Sequence, residues 1–140
     1  MHTLRRFIRH PVARLSDFST NPYEGPLIAQ FASTNAEEFA RATEMIEPWV
    51  SGVDLNCGCP QSWAIKEGVG CGLMGSPTKV AEMVKAAKAK LGDGKSVSVK
   101  IRVHKDLRYV STTIENYGHS LSLFYHLLNC LLITARRSIS

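Results

Sequence analysis

The segment Gly52-Val53-Asp54-Leu55-Asn56-Cys57-Gly58-Cys59-Pro60 combines residue types that can do chemistry with a spacing that displays them. It begins as a short apolar strand and ends abruptly in an amide, two thiols, a glycine and a proline. Enzymes of the α/β class present reactive side chains in this way, at the carboxyl ends of buried strands. Pro60 fixes its own φ and biases Cys59 towards an extended backbone. Gly58 permits close approach by a flat ligand or a tight turn. Cys59 is thereby held at a strand exit, where its thiol can meet a substrate. Asn56 places an amide where a purely structural strand would stay apolar. A free cysteine is more often a small buried hydrophobe, so the neighbours of Cys59 are what single it out.

Two other strand ends carry polar groups. Leu27-Ile28-Ala29-Gln30-Phe31 reads as a short buried strand with the amide of Gln30 near its end. In Ser96-Val97-Ser98-Val99-Lys100-Ile101-Arg102 the alternation puts Ser98, Lys100 and Arg102 on one side and Val97, Val99 and Ile101 on the other. That polar side is either the inward face of a barrel or the wet face of an edge strand.

Helices separate these strands. Asn35 reads as an N-cap with Glu38 completing a capping box. Ala36, Phe39, Ala40, Thr43 and Ile46 then form one apolar face, and Pro48 closes the helix. Ser76-Pro77 opens a second helix as N-cap and first residue. Its apolar face is Val80, Met83, Val84, Ala87 and Leu91, and Gly92-Asp93-Gly94 ends it. Strand, helix, strand at these lengths implies βα units and a parallel sheet. Gln61 to Gly75 reads as a long Gly-rich loop with Trp63 as a packing anchor. Its Gly68-x-Gly70-x-Gly72 is not the dinucleotide spacing, and close backbone approach accounts for the three glycines.

Composition bounds the function classes. At 44% hydrophobic and 21% charged the chain is globular, and its net charge of +5 suits a polyanionic partner. Four cysteines without a disulfide framework, and no secretory signal, point to a reducing compartment. Cytoplasmic is the expectation, with nuclear or mitochondrial placement open. Cys57-x-Cys59 is shorter than usual zinc-ligand spacing and no Cys/His knuckle follows, so no metal is expected. Met1 to Arg14 is Arg-rich and acid-free, as in a mitochondrial targeting peptide or the exposed end of a domain. Leu121 to Ile133 is apolar but below the ~18 residues of a membrane span, so no membrane partner is expected.

Taken together, Asp54-Leu55-Asn56-Cys57-Gly58-Cys59-Pro60, Gly68-Val69-Gly70-Cys71-Gly72-Leu73-Met74 and Val99-Lys100-Ile101-Arg102 resemble the tRNA-dihydrouridine synthase family. The local pattern is most similar to the eukaryotic subgroup acting at positions 20a and 20b of the tRNA D-loop. The resemblance runs from about Ala13 to Arg108. It implies an α/β fold, a partial (β/α)8 TIM barrel with about three recognisable parallel strands. The organisation is then a basic segment 1–12, a partial FMN-binding barrel domain 13–108 and a non-homologous tail 109–140. The resemblance further implies reduced FMN, regenerated by NADPH or NADH, as hydride source to C6 of a uracil ring in tRNA. Cys59 matches the general acid for C5, a role in which its S–H would donate the proton. By the same resemblance Gln30 hydrogen-bonds the polar edge of the flavin and Lys100 contacts the flavin. Asn56 orients the uracil, Arg102 helps to hold flavin or uridine, and Cys57 and Cys71 line the site. The uridine must leave its stack to be reached.

A complete (β/α)8 barrel typically takes ~250 residues, against 140 here. The strand with a His-Gly-Arg signature and the flavin-phosphate site expected of the family are not recognisable. One alternative is therefore a catalytically inactive truncated product that at most binds RNA or a partner. Another is a generic FMN-dependent TIM-barrel oxidoreductase acting on a small molecule, which the Cys-Gly-Cys-Pro and Lys-x-Arg patterns disfavour.

Overall fold

A computed structural model of the chain describes residues 3–102. The tail 109–140, with its apolar run, lies outside the described residues. Two short helices come first, α1 (Thr3–Arg9) and α2 (Pro11–Asp17). Pro11 divides them and stands at the start of α2, where a missing N–H leaves no bond unmade. The basic segment 1–12 contributes Leu4 and Phe7 to the core. The Phe7 ring meets Phe31 edge-on at 5.4 Å between centroids, and Phe31 meets Phe39 at 6.3 Å. Arg5 pairs with Glu38, and Arg14 Nη1 donates to the Phe7 carbonyl at 3.2 Å, folding α2 back on α1.

Strands β1 (Ile28–Phe31), β2 (Gly52–Cys57) and β3 (Ser96–Ile101) form one parallel sheet in that order. Gln30, Asp54 and Ser98 lie in one row across it, and Asn56 lies beside Lys100. Helix α3 (Ala36–Ile46) connects the first pair of strands. A short α4 (Ser62–Lys66) and then α5 (Pro77–Lys88) connect the second.

Both α3 and α5 pack on the same side of the sheet. Phe39, Ala42 and Ile46 of α3 and Val80, Met83, Val84 and Ala87 of α5 share one core with Val53, Leu55, Cys57, Val97 and Val99. A doubly wound sheet would carry helices on both faces. Among the described residues the helices that connect the strands lie on one face and polar residues on the other, as in a segment of a (β/α)8 barrel. The three expected strands are all present, and Ser98 and Lys100 do face away from the helices, as the barrel reading requires.

Local details depart from expectation at three places. Asn35 caps α3 by accepting the Glu38 N–H at 2.9 Å, but the box is not closed. The Glu38 carboxylate is taken by Arg5, and Ser33 Oγ receives the Asn35 N–H at 3.1 Å instead. Ser76 occupies the N-cap position of α5 without a capping hydrogen bond from its side chain. Its ψ of 64° departs from the extended backbone typical of N-caps. The loop from Gln61 to Gly75 holds α4 and a 3-10 turn (Gly70–Leu73), so it is a folded cap on the sheet's carboxyl end.

Phe39 has no exposed surface and joins α1, β1 and the sheet core. Phe39→Ala is expected to cost about 3–5 kcal/mol, read as a fall in the urea midpoint. Tyr23, which is 97% exposed, should change stability by less than about 0.5 kcal/mol on truncation to Ala.

Candidate active site

Period-two alternation makes strand β2 two-faced. Val53, Leu55 and Cys57 enter the helix-side core, so Asp54 and Asn56 must lie on the opposite side. There they meet the polar groups of the neighbouring strands. Asp54 is 9% exposed. Its carboxylate accepts a hydrogen bond from Gln30 Nε2 at 2.6 Å and another from Ser98 Oγ at 2.6 Å. Gln30 Oε1 in turn accepts from Asn56 Nδ2 at 3.0 Å. Asn56 Oδ1 then accepts from the backbone N–H groups of Gly58 at 3.1 Å and Cys59 at 3.0 Å. A continuous chain of hydrogen bonds thus runs from β3, through β2 and β1, into the loop that carries the Cys59 thiol.

The loop is also gripped from outside. A side chain at Gly58 would stand 3.1 Å from the Ile101 carbonyl carbon and 3.2 Å from the Arg102 nitrogen. The close approach permitted by Gly58 is therefore made by the end of β3. Cys71 N–H donates to the Cys59 carbonyl at 2.9 Å, and Cys71 Sγ to the Gly58 carbonyl at 3.2 Å. Gly70 has φ +58°, and a Cβ there would meet the Cys59 carbonyl oxygen at 2.7 Å. Of Gly68, Gly70 and Gly72, Gly70 alone is held by such an approach.

The five sequence-selected residues lie near one another at the carboxyl end of the sheet, and two of them line a cleft. Gln30 and Asn56 are directly bonded, and Asn56 fixes the backbone at Cys59. Lys100 is the register neighbour of Asn56 on the same face, exposed and without a hydrogen bond or ion pair among the described residues. Arg102 lies just past the end of β3, exposed, against the Gly58 turn. A cleft of about 640 Å³ opens beside Gln30 and Asn56, bounded also by Phe18, Phe31 and Trp63. Cys59, Lys100 and Arg102 are not part of its lining.

Three assignments change. Trp63 is 43% exposed and borders the cleft, while its neighbour Ala64 is the buried anchor of α4. Cys57 does not line the site: it points into the helix-side core with no exposed surface. Burial above all, then the Asp54 charge and Cys71, push its thiol from 9.0 up to about 12. Cys71 is a fastener of the Cys59 loop. Asp54 was not singled out at all. Its signal was a carboxylate between Val53 and Leu55, on the same side as Asn56. Among the described residues no group of His, Cys, Asp or Glu is placed to hold a metal ion. No helix among them is long and apolar enough to cross a membrane.

Comparison with known proteins gives these features a context. The family model described as dihydrouridine synthase matches residues 1–119. A tRNA-dihydrouridine(20a/20b) synthase [NAD(P)+] of Schizosaccharomyces pombe is 43% identical over 112 residues, covering 78% of this chain and 34% of the relative. A human protein named tRNA-dihydrouridine(20a/20b) synthase [NAD(P)+]-like is 44% identical over 103 residues, 73% of this chain and 32% of the relative. The Saccharomyces cerevisiae tRNA-dihydrouridine(20a/20b) synthase [NAD(P)+] is 40% identical, over 74% of this chain and 28% of its own length. The chain spans about a third of the length of these curated relatives.

Two outcomes are expected from the site's geometry. Gly70→Ala should cost about 1–2 kcal/mol from its left-handed backbone alone and loosen the Cys59 loop, measured as a lower urea midpoint and faster alkylation of Cys59. The thiolate is the alkylated species, so Cys57 should escape iodoacetamide at pH 8.5 in the folded chain and react on unfolding. Because its folded pKa is raised, its stabilising contribution is complete below the ordinary value of 9.0. That contribution is lost as pH rises towards 12. Mass mapping of alkylated peptides and denaturation across that pH window check both.

Proposed function

The chain belongs to the dihydrouridine synthase family, and from that premise we propose that it forms the flavin- and uridine-facing part of a tRNA-dihydrouridine(20a/20b) synthase. The reading is carried by one observation: the bonded series Gln30, Asn56 and Cys59 backbone on the polar face of the sheet. An imide edge, with alternating carbonyl oxygens and N–H, is common to the flavin ring and to uracil. Gln30 has one N–H and one oxygen lone pair left after its internal bonds, a donor and acceptor pair of the kind such an edge requires. Lys100 adds an exposed cation on the same face. The donor set therefore fits FMN, with Gln30 and Lys100 as the residues that would hold its ring.

When bound and reduced by NADPH or NADH, FMN supplies a hydride to the uracil ring. The protein's own part is orientation and proton delivery. Asn56 has one N–H left to direct at a uracil oxygen, since its own oxygen is occupied by Gly58 and Cys59. Cys59 is partly exposed at the strand exit, and its thiol donates the proton required at C5 of the uracil. Arg102, exposed beside the same turn, supplies a cation for the flavin or for the phosphates of tRNA. The net charge of +5 supports a tRNA partner through the long-range field, and free thiols suit the reducing cytoplasm.

A second reading is a catalytically inactive partial barrel that binds at most RNA or a partner. Among the described residues β1 and β3 stand at the edges of the sheet, and this favours it. The two readings separate on one preparation. The 140-residue chain, mixed with FMN and desalted, is expected to retain flavin absorbance, and a colourless protein would favour the inactive reading. With tRNA and NADPH, Cys59→Ala is expected to lower dihydrouridine formation by about 10²–10⁴-fold while keeping the flavin bound. Unchanged dihydrouridine formation would remove the acid role from Cys59.

A further inference from the structure

We propose that Asp54 is the positioning residue of this site: it sets the direction of the Gln30 and Asn56 amides and through them the backbone at Cys59. The argument rests on which groups can only accept and which can only donate. An ionised carboxylate is acceptor-only, so the side of Gln30 that meets Asp54 at 2.6 Å must be its Nε2. That turns Gln30 Oε1 towards Asn56, whose Nδ2 meets it at 3.0 Å. At the far end of the series the backbone N–H groups of Gly58 and Cys59 are donor-only, and both require Asn56 Oδ1. Two reversible amides are thus held between a fixed acceptor and two fixed donors. Only one orientation of each amide satisfies every contact. Ser98 Oγ, donating to the second carboxylate oxygen at 2.6 Å, ties Asp54 to β3.

The orientation decides what the face offers a ligand. With Oδ1 of Asn56 saturated by two backbone donors, Asn56 can address a ligand only through its remaining N–H. It therefore selects a ring carbonyl oxygen over a ring amino group. Gln30 presents its second N–H and a lone pair. Without a fixed acceptor at position 54, Gln30 is held only by Asn56 and can swing away. The support that keeps Asn56 against the Cys59 turn is then weakened. This use of the face rests on the flavin and uridine reading above; the positioning of the Cys59 backbone does not.

The test reads backbone amide hydrogen exchange on the 140-residue chain, without flavin or tRNA. In Asp54→Ala the Gly58 and Cys59 amides are expected to exchange about threefold to tenfold faster, the effect of one weakened hydrogen bond. Val53 and Leu55 in the same strand should keep their rates. Asp54→Asn, whose side-chain oxygen can still accept from Gln30, should restore most of the protection. Should Asp54→Ala fail to fold, Gln30→Ala removes the next link at an exposed position and is expected to loosen the same two amides. Unchanged rates at Gly58 and Cys59 in the folded variant would overturn the proposal, as would acceleration spread evenly over β2. Flavin retention measured in parallel separates the two claims. Selective loosening in a chain that binds no FMN keeps the positioning role and removes the flavin reading. Bound FMN with unchanged exchange does the reverse.

Discussion

Strand β2 is buried along nearly its whole length, yet its sequence is apolar on only one face, and the carboxylate of Asp54 is what makes this arrangement tenable. A carboxylate with 9% exposure is costly unless its oxygens are hydrogen-bonded. Here one oxygen takes Gln30 from β1 and the other takes Ser98 from β3. The row that satisfies the charge is the register row of the sheet, so pairing and polar satisfaction enforce one another. A slip of one residue in either neighbour would put Ala29 or Phe31, or Val97 or Val99, against the carboxylate.

The same constraint reaches the reactive loop. Asn56 spends its oxygen on the backbone of Gly58 and Cys59, in the manner of a side chain that imitates a turn. Gly58 lets the loop lie on the end of β3, and Gly70 lets the next loop lie on Cys59. The backbone at Cys59 is therefore held by nearby Asn56 and by two segments distant in sequence. Helical packing on the opposite face supplies the rigid base. Cys57, two residues earlier, belongs to that base, and its raised pKa marks it as inert. Two cysteines separated by one residue thus lie in different environments because β2 ends at Cys57 and the chain turns at Gly58 before Cys59.

The chain belongs to the dihydrouridine synthase family, and its sheet carries the Gln30 and Asn56 amides and the Lys100 cation on the face opposite the helices. The chain spans about a third of the length of these curated relatives, and the face is built by contacts within the described residues.

The elements were legible in the sequence because their signals are local. Alternation gave β3 its two faces, helical spacing gave α3 and α5 their apolar stripes, and Asn35 and Pro48 marked where α3 starts and stops. The Asn56 to Pro60 segment was legible because its residue types are out of place at the end of an apolar strand. The partners of those residues were not. That Asp54 answers to Gln30 and Ser98, 24 and 44 residues away, depends on strand register, which no local pattern specifies. That Trp63 borders a cleft while Ala64 is buried, and that Cys57 is buried in the core while Cys59 is partly exposed, depends on how the loop and strand seat against the sheet. The sequence by itself determined which elements form and which residues are chemically able. The tertiary structure alone decided which of them meet, because the hydrogen bonds that Asp54 accepts from Gln30 and Ser98 cross between strands and exist only in one register of the packed sheet.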